Sequence, residues 1–158
     1  MAKVKIFYGT VGGNTQIVCE KVMEILIENG HEVEMRNARF VLSKEYKSQD
    51  VSKFFDCDLM IFASPTYGQG QLEPYFEKFL MSLKNVDLKG KKYACISLGD
   101  IKYHAEYLLE SANIIESFCK DSGMEAIITA LKVLKSPLNV LDTTIKAWLE
   151  KLNEELKK

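Results

Sequence analysis

A chain of 158 residues with 47% hydrophobic and 27% charged side chains has the balance of one globular domain, 1–158, able to bury a core without staples. Its 21 Lys+Arg against 22 Asp+Glu leave a formal charge of −1, without the basic footprint of a nucleic-acid binder. No apolar run reaches the ~18 residues of a membrane span, and Met1–Lys5 leads straight into a strand-like run rather than a signal peptide.

The elements alternate from end to end. Val4–Tyr8 is apolar, β-branched and aromatic, as a buried strand requires. Gly9–Thr15 breaks it, and Asn14 or Thr15 is placed to cap the helix that follows. That helix carries Ile17, Val18, Val22, Ile25 and Leu26 at helical spacing and stops at Asn29-Gly30. His31–Arg36 reads as an edge strand, and 38–55 as a short irregular helix. Leu59–Ala63 is the most apolar run and suits a central strand. Ser64–Gln71 reads as a loop, and Glu73 opens a helix with Tyr75, Phe76, Phe79, Leu80 and Leu83 on one side. Lys91–Leu98 is a strand, Gly99–Tyr103 a loop and 105–120 a helix. Met124–Val133 is the last strand, Pro137 and Asn139 mark a loop, and 141–156 is a helix anchored by Trp148 in the core. Five strands alternating with helices predict an α/β fold, a parallel sheet covered on both faces.

Cys19, Cys57, Cys95 and Cys119 stand at irregular gaps with no Cys-x-x-Cys, beside only two histidines, His31 and His104. That pattern argues against zinc or dithiol chemistry and predicts reduced thiols in a cytoplasmic protein.

Open parallel sheets bind ligands beyond the carboxyl ends of their strands. Three glycine-bearing loops fall there, and Leu134–Val140 adjoins them. Gly9–Thr15 offers backbone N–H groups, the Thr10 and Thr15 hydroxyls and the Asn14 amide at a helix start, which suits an anion. No charged residue lies between Ile6 and Cys19, and neither Gly-Lys-Ser/Thr nor G-x-G-x-x-G is present. Taken alone, this loop reads equally as an ordinary strand-to-helix turn. Ser64–Gln71 presents Tyr67, and Gly99–Tyr103 presents Tyr103. Two aromatic residues on one sheet edge beside an anion loop point to a flat, phosphorylated cofactor clamped by stacking.

Three stretches then resemble one family, in order along nearly the whole chain. Thr10-Val-Gly-Gly-Asn-Thr15 is similar to the T-x-T-G-x-T phosphate loop of flavodoxins. Ser64-Pro-Thr-Tyr-Gly68 resembles their first stacking loop, and Leu98-Gly-Asp-Ile-Lys-Tyr103 their second. The variant Thr66-Tyr-Gly-Gln-Gly70 is most similar to small MioC/YqcA-like flavodoxins and to diflavin-reductase modules. The chain lacks the insertion that splits strand five in long-chain members, and so resembles the short-chain group.

The resemblance implies a three-layer αβα sandwich with a five-stranded parallel sheet in the order 2-1-3-4-5. It implies FMN as cofactor and one-electron transfer through the semiquinone/hydroquinone couple. Thr10, Val11, Gly12, Gly13, Asn14 and Thr15 would hold the phosphate, and Tyr67 and Tyr103 would sandwich the ring. Pro65, Thr66, Gly68, Gln69 and Gly70 would line one side, with the Gly68–Gln69 peptide flipping toward flavin N5. Leu98, Gly99 and Asp100 would meet the pyrimidine end. No metal site and no separate catalytic residue is implied.

Departures from the family are Gly12 in place of a hydroxyl residue, Tyr67 in place of Trp, near-neutral charge, and Lys102 and His104 around Tyr103. The two cations would ease reduction of the flavin, or else stand as solvated surface charges. Glu73, Asp100, Glu106 and Glu110 are candidate rim acids for docking. The implied partners are a flavodoxin reductase-like donor and an acceptor enzyme, met by a monomer. Two other functions share the architecture: an FMN-dependent NAD(P)H:quinone-type reductase, and a flavin-free signalling domain, which would need acids after strand one that Thr10–Gly13 does not supply.

Overall fold

A computed structural model describes residues 1–41, 55–67, 70–99, 109–134 and 136–158. The sheet begins with β1 (Lys3–Tyr8), followed by α1 (Asn14–Glu28), β2 (Glu32–Asn37) and the single turn α2 (Ala38–Val41). The middle of the chain gives β3 (Leu59–Tyr67), β4 (Gln71–Leu72), α3 (Pro74–Ser82) and β5 (Lys92–Gly99). It closes with α4 (Glu110–Asp121), β6 (Glu125–Ala126), β7 (Leu131–Leu134) and α5 (Lys146–Leu156). Before α5 come a 3₁₀ turn, Pro137–Asn139, and a π turn, Leu141–Ile145.

The strands order β2-β1-β3-β5, with β6 and β7 both pairing along the outer side of β5. All these pairs are parallel; only the short β4 runs antiparallel, against the tip of β3. The sheet therefore has the predicted order 2-1-3-4-5, with its fifth strand in two pieces.

Alternation along the strands builds two cores. Val4, Ile6 and Tyr8 of β1, Leu59, Ile61 and Ala63 of β3, and Ala94, Ile96 and Leu98 of β5 face α1 and α5. Phe7, Met60, Phe62, Tyr93 and Cys95 face α3 and α4. The second core is aromatic: Phe7 stacks on Phe79 at 4.9 Å between ring centres, and Phe62 meets Phe76 edge-on at 6.4 Å. Helices cover both faces, giving the three layers.

Three local readings need correction. The predicted strand Met124–Val133 is interrupted at Ile127–Ala130. There the Trp148 indole N–H donates to the Thr129 carbonyl at 2.8 Å, so the core anchor of α5 takes a backbone group that a continuous strand would point elsewhere. The predicted loop Ser64–Gln71 begins as strand: β3 continues to Tyr67, with Pro65 opposite Leu98 of β5. Proline is accommodated because β1 ends at Tyr8, opposite Ala63. Gly9 N–H donates to the Ala63 carbonyl, so the peptide of Pro65, two residues on, faces the same side, where no strand needs its missing donor. Finally, neither Asn14 nor Thr15 caps α1; Gly13 occupies that position, with no side-chain cap.

The remaining elements fall close to their predicted places, except that Tyr75 leaves the apolar side predicted for α3: it is 40% exposed, with the Arg39 guanidinium 5.2 Å over its ring. Of the short helix predicted within 38–55, Ala38–Val41 is observed and 42–54 lie outside the described residues. The helix predicted over 105–120 is observed from Glu110, with 105–108 outside the described residues.

Candidate functional site: an uncapped helix at the sheet's carboxyl edge

The loop between β1 and α1 leaves the sheet through Gly9. A side chain at Gly9 would run into the Glu73 carboxylate and come within 2.7 Å of the Phe76 Cβ, so only glycine fits. Gly12 and Gly13 follow with φ of +77° and +90°, a region that favours glycine. Thr10 Oγ1 accepts from Gly13 N–H at 3.1 Å and folds the loop over the start of α1.

The start of α1 is a donor pole. Its first N–H groups have no partner within the helix, Gly13 supplies no cap, and no acid sits in the first turn. Behind it lies Thr15, 1% exposed, whose Oγ1 is the one buried side-chain polar atom without a hydrogen bond among the described residues. Burying an unpaired hydroxyl costs about 1–3 kcal/mol. A helix dipole, free N–H groups and an orphaned hydroxyl together fit an oxyanion held by neutral donors. The FMN phosphate has that chemistry.

The other predicted residues divide into three groups. Tyr67 ends β3 and is 43% exposed, its ring available at the mouth. Val11 at 54% and Leu138 at 64% add exposed apolar side chains along the same carboxyl edge. Pro65 pairs with Leu98 across β3 and β5, Gly99 ends β5, and Gly70 precedes β4 with φ of +84°; the Leu98 side chain belongs to the core. Gly68, Gln69, Asp100 and Tyr103 lie outside the described residues, as do Lys102, His104 and Glu106.

One expectation changes. Glu73 is no rim acid: it is 3% exposed, and its carboxylate caps α3 by accepting from Tyr75 N–H at 3.1 Å and Phe76 N–H at 2.8 Å. The Thr66 hydroxyl donates to Ser111 Oγ at 3.1 Å and accepts from Ser111 N–H at 3.2 Å. Glu110 stays partly exposed in the first turn of α4, accepting from the Asn113 amide.

Sequence reasoning missed the cluster to which Thr66 belongs. Ser64, Ser97 and Ser111 are fully buried around it, with Ser97 and Ser111 hydroxyls 2.5 Å apart. The available signal was hydroxyl residues at the inward-facing ends of two otherwise apolar strands.

Burial disfavours the thiolate at all four cysteines, three of them buried and Cys57 partly so. Burial pushes Cys57 up to about 11 and Cys119 to about 12, and raises Cys19 and Cys95 further. No disulfide and no metal-ligand cluster forms among the described residues. None of the described helices is long and apolar enough to cross a membrane.

Known proteins resemble this chain in sequence and fold. The flavodoxin family model matches residues 6–148. The flavodoxin of Maridesulfovibrio salexigens is 30% identical over 87% of this chain and 89% of its own. Flavodoxin 2 from Bacillus cereus superimposes with a TM-score of 0.83 at 28% identity, over 98% of this chain and 99% of that one. A Fusobacterium nucleatum flavodoxin bound to flavin mononucleotide shares the fold, with a TM-score of 0.72 at 14% identity, over 98% of this chain and 99% of that one. With the sheet order, the uncapped α1 and a match that starts in β1 and ends in α5, the chain belongs to the flavodoxin family.

Proposed function

We infer that this chain binds FMN and carries single electrons between redox proteins. The observation that carries the reading is the Thr15 hydroxyl, buried and unpartnered behind the open N-terminus of α1. Such an atom is costly unless a ligand completes it. When bound, FMN supplies the redox chemistry.

The chain's residues bind and orient. Thr10, Gly12, Gly13, Asn14 and Thr15, with the Val11 N–H, hold the phosphate without a cation, since no charge stands between Ile6 and Cys19. Tyr67 covers one face of the ring, and its exposure leaves room for that stacking. By motif, Tyr103 covers the other face, Gly68 and Gln69 approach N5, and Asp100 meets the pyrimidine end. The uncharged loops Thr10–Thr15 and Ser64–Gln71 would offer no partner to a negative charge on the reduced ring, which would separate the two one-electron steps.

The exposed apolar side chains Val11, Tyr67 and Leu138 suit brief contact with a reductase-like donor and an acceptor enzyme, as small redox interfaces require. The chain acts as one FMN-binding domain and as a monomer. Four unpaired thiols suit the cytoplasm.

Titration of the apoprotein with FMN and with riboflavin tests the reading. FMN should bind far more tightly, because only FMN carries the phosphate. Equal affinities would remove the phosphate site from the account. Rapid reduction of the loaded protein by NAD(P)H, with no partner present, would replace the carrier by a reductase.

A further inference from the structure

We propose that Ser111 is a positioning residue for the flavin site, tying the tips of β3 and β5 to the start of α4 through one saturated hydroxyl. The assignment rests on the FMN reading above and adds a role that the phosphate loop and stacking residues do not cover.

The inward face of the sheet toward α3 and α4 is apolar through Phe62 on β3 and Cys95 on β5. From the next inward position onward both strands change chemistry, to Ser64 and then Thr66 on β3 and to Ser97 on β5, all buried. Ser111, in the first turn of α4 and equally buried, meets them.

The hydrogens can be assigned by counting. Ser111 Oγ–H donates to the Ser64 carbonyl at 3.1 Å. Its two lone pairs then accept from Thr66 Oγ1–H at 3.1 Å and from Ser97 Oγ–H at 2.5 Å, the shorter of the two contacts open to the Ser97 proton, the other being the Leu109 carbonyl at 3.5 Å. Thr66 Oγ1 in turn accepts from Ser111 N–H at 3.2 Å. One donor and two acceptors exhaust a hydroxyl. The cluster extends to α3, since Glu73 N–H donates to Ser64 Oγ at 3.1 Å.

This knot sits where the sheet alone holds least. Beyond Ala63, β3 has no β1 beside it. Its last residues pair with β5 as far as Pro65 and with the two-residue β4 at Thr66 and Tyr67. Ser111 therefore fixes the residue directly before Tyr67 against the helix that follows β5. A buried polar network with every member satisfied has one geometry, and small displacements cost it several bonds together. Ser111 thereby sets the spacing between the β3 tip and the end of β5, the two strand ends that frame the ring.

The test uses the full chain loaded with FMN, comparing wild type with Ser111→Ala and Ser111→Thr. The readouts are flavin affinity, the separation of the two one-electron midpoint potentials, and the thermal midpoint of the apoprotein. Ser111→Ala should weaken FMN and riboflavin alike by about tenfold and change the separation, because the ring's frame rather than the phosphate loop is disturbed. Ser111→Thr, which keeps the hydroxyl, should restore both. Thr66→Val removes one spoke and should act in the same direction, deciding the matter if Ser111→Ala does not fold. A fall in apoprotein thermal midpoint with affinity and separation unchanged would overturn the proposal while leaving the FMN reading intact. A wild-type protein that binds neither flavin would overturn both.

Discussion

Replacing Thr15 by valine should move stability and affinity in opposite directions. The exchange deletes one hydroxyl and keeps the shape and β-branching of the side chain, so helix propensity changes little. In the apoprotein the hydroxyl is buried and unpaired. Leaving such a group unpaired costs about 1–3 kcal/mol. Thr15→Val therefore stabilises the apoprotein by about 1 kcal/mol or more. For a chain of this size each kcal/mol raises the thermal midpoint by roughly 2–4 °C. On the proposed binding mode the same hydroxyl would donate to a charged phosphate oxygen, a bond worth about 1.5–3 kcal/mol. At about 1.4 kcal/mol per tenfold, FMN affinity falls roughly 10- to 150-fold. Riboflavin affinity should not change. Thermal melts of the apoprotein and fluorescence titration with both flavins read these effects. A less stable apoprotein with unchanged FMN affinity would refute the reasoning, and so would an equal loss for both flavins.

Gly9→Ala places a methyl group against the Glu73 carboxylate and the Phe76 Cβ, so urea melts should show a loss of about 1–3 kcal/mol, what overpacking costs. A change under about 0.5 kcal/mol would show that the loop exit yields freely. Glu73→Ala removes the α3 cap and should cost about 0.5–2 kcal/mol by the same assay, although Glu73 appears in sequence as a surface acid. Alkaline pH should destabilise the fold. Burial holds Tyr93 at about 12, Cys119 at about 12 and Cys57 at about 11, above their ordinary values, so the native state favours their protonated forms. That stability is present below about pH 9, near the unfolded cysteine value, and is lost as pH rises through the folded values. The thermal midpoint should be level from pH 7 to 8.5 and lower at pH 10.5, and a rise over that range would contradict the assignment.

Architecture was legible wherever apolar residues alternated or recurred at one period. Val4–Tyr8, Leu59–Ala63 and Lys91–Leu98 became strands because runs buried on both faces have few alternatives. The break at Ile127–Ala130 was not legible, since these residues are as apolar as their neighbours. What interrupts them is an indole from α5, a contact made only in the folded molecule. Pro65 misled for a similar reason. A proline reads as a loop residue until one knows that its neighbouring strand has already ended. The phosphate loop was legible because its glycines and hydroxyls are contiguous. Yet the expected caps, Asn14 and Thr15, turned out not to cap, and the free Thr15 hydroxyl is the more informative outcome. Ser111 was invisible because its partners, Ser64, Thr66 and Ser97, lie on two other elements.

Stepwise reduction of the FMN-loaded protein, followed by its visible spectrum against potential, tests the central claim most directly. The account predicts bound flavin reduced in two resolved one-electron waves, the second at lower potential. Reduction in a single two-electron wave, or a protein that stays colourless with excess FMN, would contradict it.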